Sequence, residues 1–146
     1  MNNLEQYSVL VVDDDNVMRE VLKFILRSGD YLIAGEASNG PDAIQLCLQM
    51  QPHVVLLDIN MPKMDGLQTL EELRKVGPET IVLIVSADST MDKVREAIAK
   101  GAVGFVVKPL NAANILDKVA ACLRSKVLLK SQVPSEVNFS GRTRYE

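Results

Sequence analysis

Five short apolar runs alternate with five amphipathic stretches along this chain, and that alternation is the pattern of βαβ units with helices on both faces of a parallel sheet. Four of the runs, over residues 9–12, 54–57, 81–85 and 104–107, are rich in Val, Ile and Leu without polar alternation. Parallel strands covered on both faces read this way. The run over residues 32–36 is weaker and suits an edge. The expected class is therefore α/β and doubly wound.

The amphipathic stretches carry their own punctuation. A first helix should begin at Asp15 or Asn16, show Val17, Val21, Leu22 and Ile25 at helical spacing, and stop at Gly29. A second opens at Pro41, with Ile44, Cys47 and Leu48 on one face, and ends at Gln51-Pro52. A third carries Leu67, Leu70 and Leu73 up to Gly77-Pro78, and a fourth carries Met91, Val94, Ala97 and Ile98 up to Gly101, with Ser89 or Thr90 as its cap. The fifth starts after Asn111 with Ile115, Leu116, Val119 and Leu123, and its pattern persists through Val127, Leu128 and Leu129. Beyond Lys130 the chain is polar and aperiodic and is expected to be a flexible tail.

Composition excludes several classes. At 146 residues the chain has the size of one domain plus a short tail, and its 47% hydrophobic and 24% charged residues are ordinary for a soluble protein. No apolar run reaches the length of a membrane span, and the start lacks a basic segment followed by an apolar one, so a cytoplasmic home is expected. A net charge of −3 without clustered Lys and Arg argues against direct nucleic-acid binding. Cys47 and Cys122 lack any CxxC spacing and read as buried small hydrophobes, and His53, the one histidine, reads as a strand-end residue.

Chemistry concentrates where the runs end. Asp13 and Asp14 close the first run and Asp58 closes the third; if these runs are neighbouring strands, their carboxyl ends meet in the crevice where such sheets bind ligands. Two unit charges 4 Å apart repel by about 4 kcal/mol at an effective dielectric of about 20, so the cluster asks for a divalent ion or a shared proton. Ser86 closes the fourth run and Lys108-Pro109 the fifth. Acids, a hydroxyl and an ammonium around a carboxylate make a phosphoryl-binding site, with Asp58 as nucleophile and Mg²⁺ as the fitting cation. The bland alternatives are a solvated helix start for Asp13, Asp14 and Asp15, a turn cap for Ser86, a surface lysine for Lys108, and packing filler for Met61, Met64 and Met91.

Taken together, Val11-Val12-Asp13-Asp14, Asp58-Ile59-Asn60-Met61-Pro62-Lys63-Met64-Asp65-Gly66, Ser86-Ala87 and Phe105-Val106-Val107-Lys108-Pro109 resemble the receiver domains of two-component response regulators, above all single-domain chemotaxis-type regulators. The resemblance covers about residues 7–125. It implies a flavodoxin-like (βα)5 fold with strand order 2-1-3-4-5, a receiver over residues 5–126, and a helix extension and tail over 127–146 that would be a linker if an output domain follows. It further implies that Asp58 accepts a phosphoryl group from a histidine kinase or phosphotransfer protein, with Mg²⁺ held by Asp14, Asp58 and the backbone carbonyl of Asn60. Asp13 would act through a metal-bound water, Lys108 would pair with phosphoryl oxygens, and Ser86 would hydrogen-bond to them. A cis peptide before Pro109 is implied, as is a switch in which Phe105 turns and the face of helix 4, strand 5 and helix 5 changes shape for a downstream protein. Phe105 stands where the flagellar-motor group commonly has tyrosine, so the aromatic switch is kept without its hydroxyl. Asn60 and Asp88 flank the site where phosphoryl lifetime is tuned in the family. Such a receiver is a monomer or a phosphorylation-dependent homodimer, and it catalyses only its own phosphorylation and dephosphorylation. The competing reading is an enzyme: Asp13-Asp14-Asp15-Asn16-Val17 also fits the Asp-x-Asp-x-Val opening of haloacid-dehalogenase-like phosphatases.

Overall fold

A computed structural model describes residues 6–61, 63–87 and 90–132, the last seven as helix backbone. Among the described residues ten elements follow in strict alternation: β1 (Ser8–Val12), α1 (Asn16–Ser28), β2 (Leu32–Ala37), α2 (Gly40–Met50), β3 (Val54–Leu57), α3 (Gly66–Val76), β4 (Ile81–Ser86), α4 (Met91–Ala99), β5 (Gly104–Val107) and α5 (Ala112–Gln132). The five strands form one sheet in the order β2-β1-β3-β4-β5, with every neighbouring pair parallel. The order reverses direction between β1 and β3, which opens a crevice at their carboxyl ends.

Side-chain alternation explains why the strands read as unbroken apolar runs. Val9 and Val11 of β1 pack with Leu22 and Leu26 of α1 and with Ile115 and Val119 of α5 on one face. Leu10 and Val12 pack with Ala43 and Cys47 of α2 and Leu70 and Leu73 of α3 on the other. Both faces are dry, so both sets must be apolar. β5 departs from this expectation: only Val106 is buried, Phe105 is half-buried and Val107 is exposed, because β5 has a neighbour on one side alone.

The helix boundaries follow their caps. Asp15 accepts hydrogen bonds from the Val17 and Met18 amides, Asn39 from Asp42, Asp65 from Gln68, Thr90 from Lys93, and Asn111 from Asn114, each at the start of a helix. Ser89, the other expected cap of α4, lies outside the described residues. The buried faces need correction in three helices. Val17 is 70% exposed and Val21 is exposed too, while Leu22, Ile25 and Leu26 face the sheet. Leu48 is exposed beside buried Ala43 and Cys47, and Met91 and Ile98 are exposed, which leaves Ala97 as the buried residue of α4. The cause is shared: each helix carries two neighbouring apolar stripes, and spacing alone does not tell which one meets the sheet.

α5 runs to Gln132, two residues past Lys130, and the expected flexible tail over 133–146 lies outside the described residues. Cys47 and Cys122 are both free and buried, as expected. His53 sits at the start of β3, where its Nδ1 accepts from the Ser8 amide at 3.0 Å and its ring meets Tyr7 edge-on, at the opposite end of the sheet from the acids. Among the described residues no helix is long and apolar enough to cross a membrane.

Candidate functional site

Strand register assembles the site. Val12 pairs with Leu57, so the next residues, Asp13 and Asp58, leave the sheet side by side. The Asp58 amide donates to the Val12 carbonyl at 3.0 Å and the Asp13 amide to the Ala37 carbonyl at 3.1 Å, so both acids begin on fixed backbone. Asp13 and Asp58 are buried and Asp14 is exposed, and one carboxylate oxygen of each lies within 4.8 Å of the others.

β4 and β5 supply the remaining groups. Ser86, fully buried, ends β4 and pairs with Val107, and the following Lys108 amide donates to the Ser86 carbonyl at 2.9 Å. The Lys108–Pro109 peptide is cis. Lys108 Nζ reaches back to Asp13 Oδ2 at 2.8 Å and lies 3.6 Å from Asp58 Oδ2. Asp58 Oδ1 also accepts from the Asn60 amide at 3.2 Å.

The electrostatics are unbalanced. Burial pushes the Asp58 carboxyl above its ordinary range; Lys108 and the Asn60 amide oppose that, while Asp13 and Asp14 add to it. Burial works to lower the Lys108 ammonium, yet the hydrogen bond to Asp13 and the charges of Asp58 and Asp13 outweigh it, so Lys108 is raised and stays charged. Three carboxyl groups converge here on a single ammonium. A converging set of hard oxygens with surplus negative charge fits a small divalent cation that keeps part of its water, and Mg²⁺ meets that description.

The expected site residues separate into those the fold gathers and those it does not. Asp13, Asp14 and Asp58 come together, Lys108 reaches Asp13 and Asp58, Asn60 lies in the loop after β3, and Ser86 ends the neighbouring β4. Phe105 lies apart, packed against the cluster on the α2–α3 side of the sheet. Asp88 is outside the described residues. Met61 packs partly buried on the core as filler. Asp15 is a helix cap, whereas Asp13 and Asp14 are not. One residue escaped the sequence reading: Arg19 Nη1 donates to the Asp13 carbonyl at 2.6 Å and Nε to Glu36 Oε1 at 2.8 Å. The signal was its place four residues past the Asp15 cap, one turn into α1 and above the acid-bearing loop.

The family model of the response regulator receiver domain matches residues 9–120. The chain belongs to the response regulator receiver family. This receiver is 38% identical over 109 residues to the chemotaxis protein CheY of Thermotoga maritima, a match covering 75% of this chain and 91% of that protein. Among solved structures, its fold matches the CheX-CheY-BeF3-Mg²⁺ complex of Borrelia burgdorferi with a TM-score of 0.78 at 32% identity, covering 80% of this chain and 89% of that one. It matches equally, with a TM-score of 0.78 at 35% identity, the signal receiver domain of the putative response regulator NarL of Mycobacterium tuberculosis, covering 83% of this chain and 98% of that one. The sheet order, the acids at the ends of β1 and β3 and the cis peptide before Pro109 all agree with the resemblance read from the motifs. The match to the receiver family over residues 9–120 speaks against the phosphatase reading, and Asp15, the second acid of its Asp-x-Asp pair, caps α1 by accepting from the Val17 and Met18 amides.

Proposed function

We propose that this receiver is a phosphorylation-dependent switch of a two-component, chemotaxis-like phosphorelay in which Asp58 accepts a phosphoryl group from a histidine kinase or phosphotransfer protein. The observation that carries the reading is the position of Asp58: a buried carboxylate within reach of two further acids and 3.6 Å from a lysine ammonium. One Asp58 oxygen forms a bond to phosphorus as the donor's phosphorus–nitrogen bond breaks, and the donor imidazole keeps that electron pair and later takes a proton from water. Asp14, Asp58 and the Asn60 carbonyl would hold Mg²⁺, with Asp13 acting through a bound water. A cation held there would supply positive charge to offset the phosphoryl oxygens and the acids together. Lys108 pairs with a second phosphoryl oxygen, at the cost of part of its contact with Asp13.

Readout follows from the new charge. Ser86 donates to a phosphoryl oxygen, its loop moves toward Asp58, and Phe105 turns into the vacated space. The face of α4, β5 and α5, where Met91, Ile98, Val103 and Val107 are exposed, then changes shape for a downstream protein. Moving the balance from 1:99 to 99:1 takes about 5.5 kcal/mol, within reach of several charge-assisted hydrogen bonds. The receiver acts in the cytoplasm, as a monomer or as a homodimer formed on phosphorylation, without contacting nucleic acid or membrane. In this reading the receiver spans residues 5–126, and α5 continues beyond it to Gln132.

Intact-protein mass after incubation with Mg²⁺ and acetyl phosphate tests the chemistry. One added phosphoryl group is expected in the wild type and none in Asp58→Asn or with EDTA. Equal labelling of the variant would overturn the assignment of Asp58.

A further inference from the structure

We propose that Arg19 is a positioning residue for the acid cluster: braced by Glu36, its guanidinium clamps the main-chain carbonyl of Asp13 and fixes the loop that presents Asp13 and Asp14. The inference rests on reading the cluster as a divalent-cation site.

Asp13 is anchored at four atoms. Its amide donates to Ala37, its Oδ1 accepts from the Asp15 amide at 2.9 Å, its Oδ2 accepts from Lys108, and its carbonyl accepts from Arg19 Nη1 at 2.6 Å. The carbonyl bond governs more than Asp13. That oxygen belongs to the peptide plane joining Asp13 to Asp14, so holding it sets the direction in which Asp14 leaves the chain. Asp14 is exposed, and among the described residues no side-chain or backbone donor holds its carboxylate. Its aim toward the other two acids therefore depends on the backbone, and the Arg19 clamp is what stops that plane from rotating.

Glu36 holds the clamp in place. Its Oε1 accepts from Arg19 Nε at 2.8 Å, and its Oε2 accepts from Lys23 Nζ at 2.6 Å. Arg19 Nη2 donates to Asn16 Oδ1. The Arg19 side chain is 12% exposed and meets three acceptors at once. A planar fork with five N–H donors can do this, whereas a lysine ammonium presents one point of charge. Glu36 pairs in register with Val11, two residues before Asp13, so the brace ties the edge strand to the acid-bearing loop. It also holds the guanidinium on the backbone side, away from the carboxylates it would otherwise neutralise.

Mg²⁺ titrations followed by NMR on the wild type, Arg19→Ala, Arg19→Lys, Glu36→Gln and the core variant Ile25→Val test the clamp, with melting temperatures measured alongside. Loss of a residue that orients a ligand typically weakens metal binding by about tenfold or more. About that loss is expected for Arg19→Ala, nearly as much for Arg19→Lys, less for Glu36→Gln, and none for Ile25→Val however far its melting point falls. In metal-free protein, the Asp15 amide should exchange faster in both Arg19 variants than in Ile25→Val. Arg19→Ala binding Mg²⁺ within about twofold of wild type, or Ile25→Val losing as much affinity, would overturn the proposal. A wild type that binds no Mg²⁺ would overturn the cation reading instead, and the Asp15 exchange comparison would still decide the clamp.

Discussion

Asp58 is held in a folded state that works against its own charge. Burial raises its carboxyl pKa, and the neighbouring Asp13 and Asp14 add to that against the pull of Lys108. A carboxyl whose folded pKa exceeds its unfolded value contributes stability below the unfolded pKa, and that contribution is lost as pH rises through the folded pKa. At neutral pH without metal, the ionised group is therefore a liability. Asp58→Asn should stabilise the metal-free protein by about 1 kcal/mol, roughly 3–5 °C in melting temperature for a chain of this size. The gain should shrink as pH falls and Asp58 takes up its proton, and Mg²⁺ should stabilise the wild type more than the variant. Thermal melts at several pH values, with and without Mg²⁺, check both signs; an Asp58→Asn protein that melts below wild type at neutral pH would contradict them. Asp13, Asp58, Ser86 and Lys108 were legible in the chain because each directly follows or ends an apolar run, and Asp14 because it adjoins Asp13. Arg19 was not: its place one turn past the Asp15 cap was visible, but its role is a contact with the Asp13 backbone oxygen, which residue pattern does not single out.

Between β3 and α3, the loop that carries Asp58 closes onto the helix start with no room to spare. The Gly66 amide donates to the Ile59 carbonyl at 2.6 Å. A Cβ at Gly66 would press on the Ile59 backbone and stand 2.6 Å from the Asp58 carbonyl. Backbone yields less than side chain, so Gly66→Ala should cost about 2–4 kcal/mol and shift Asp58. Urea denaturation should show a lower midpoint at unchanged slope, and phosphorylation by acetyl phosphate should slow. A neutral Gly66→Ala would mean that the loop can open without disturbing the site. Element identity was readable throughout from runs, caps and breakers, and boundaries fell within a residue or two. The buried faces of α1, α2 and α4 were less readable. Val17, Leu48 and Ile98 fit helical periodicity as well as the residues that are buried, and only contact with the sheet separates the two sets.

Across the molecule, packing is uneven in a way that matters for switching. α1 buries Leu22, Ile25 and Leu26 against the sheet, whereas α4 buries Ala97. β5 beside it is an edge strand with a half-buried Phe105. Elements with few buried contacts open at low free-energy cost, and switching parts are drawn from them. Hydrogen exchange should therefore be faster in α4 than in α1 in the unmodified protein. Addition of beryllofluoride and Mg²⁺ should change protection in α4 and β5 while leaving α2 as it was. Equal change across all five helices would contradict a switch confined to one side.

The order of residues was sufficient to determine the class of the fold and the chemistry at its edge. Apolar runs of strand length alternate with helical stretches, and a parallel sheet brings all run ends to the same side, so polar residues at those ends must share a crevice. Tertiary structure decided how close they come and what holds them. The β1–β3 register sets Asp13 beside Asp58, Lys108 crosses from β5 to bridge them, and Arg19 reaches from α1 to the backbone beneath. Those contacts join residues as many as 95 positions apart, and local pattern carries no information about distance in space between segments that far separated.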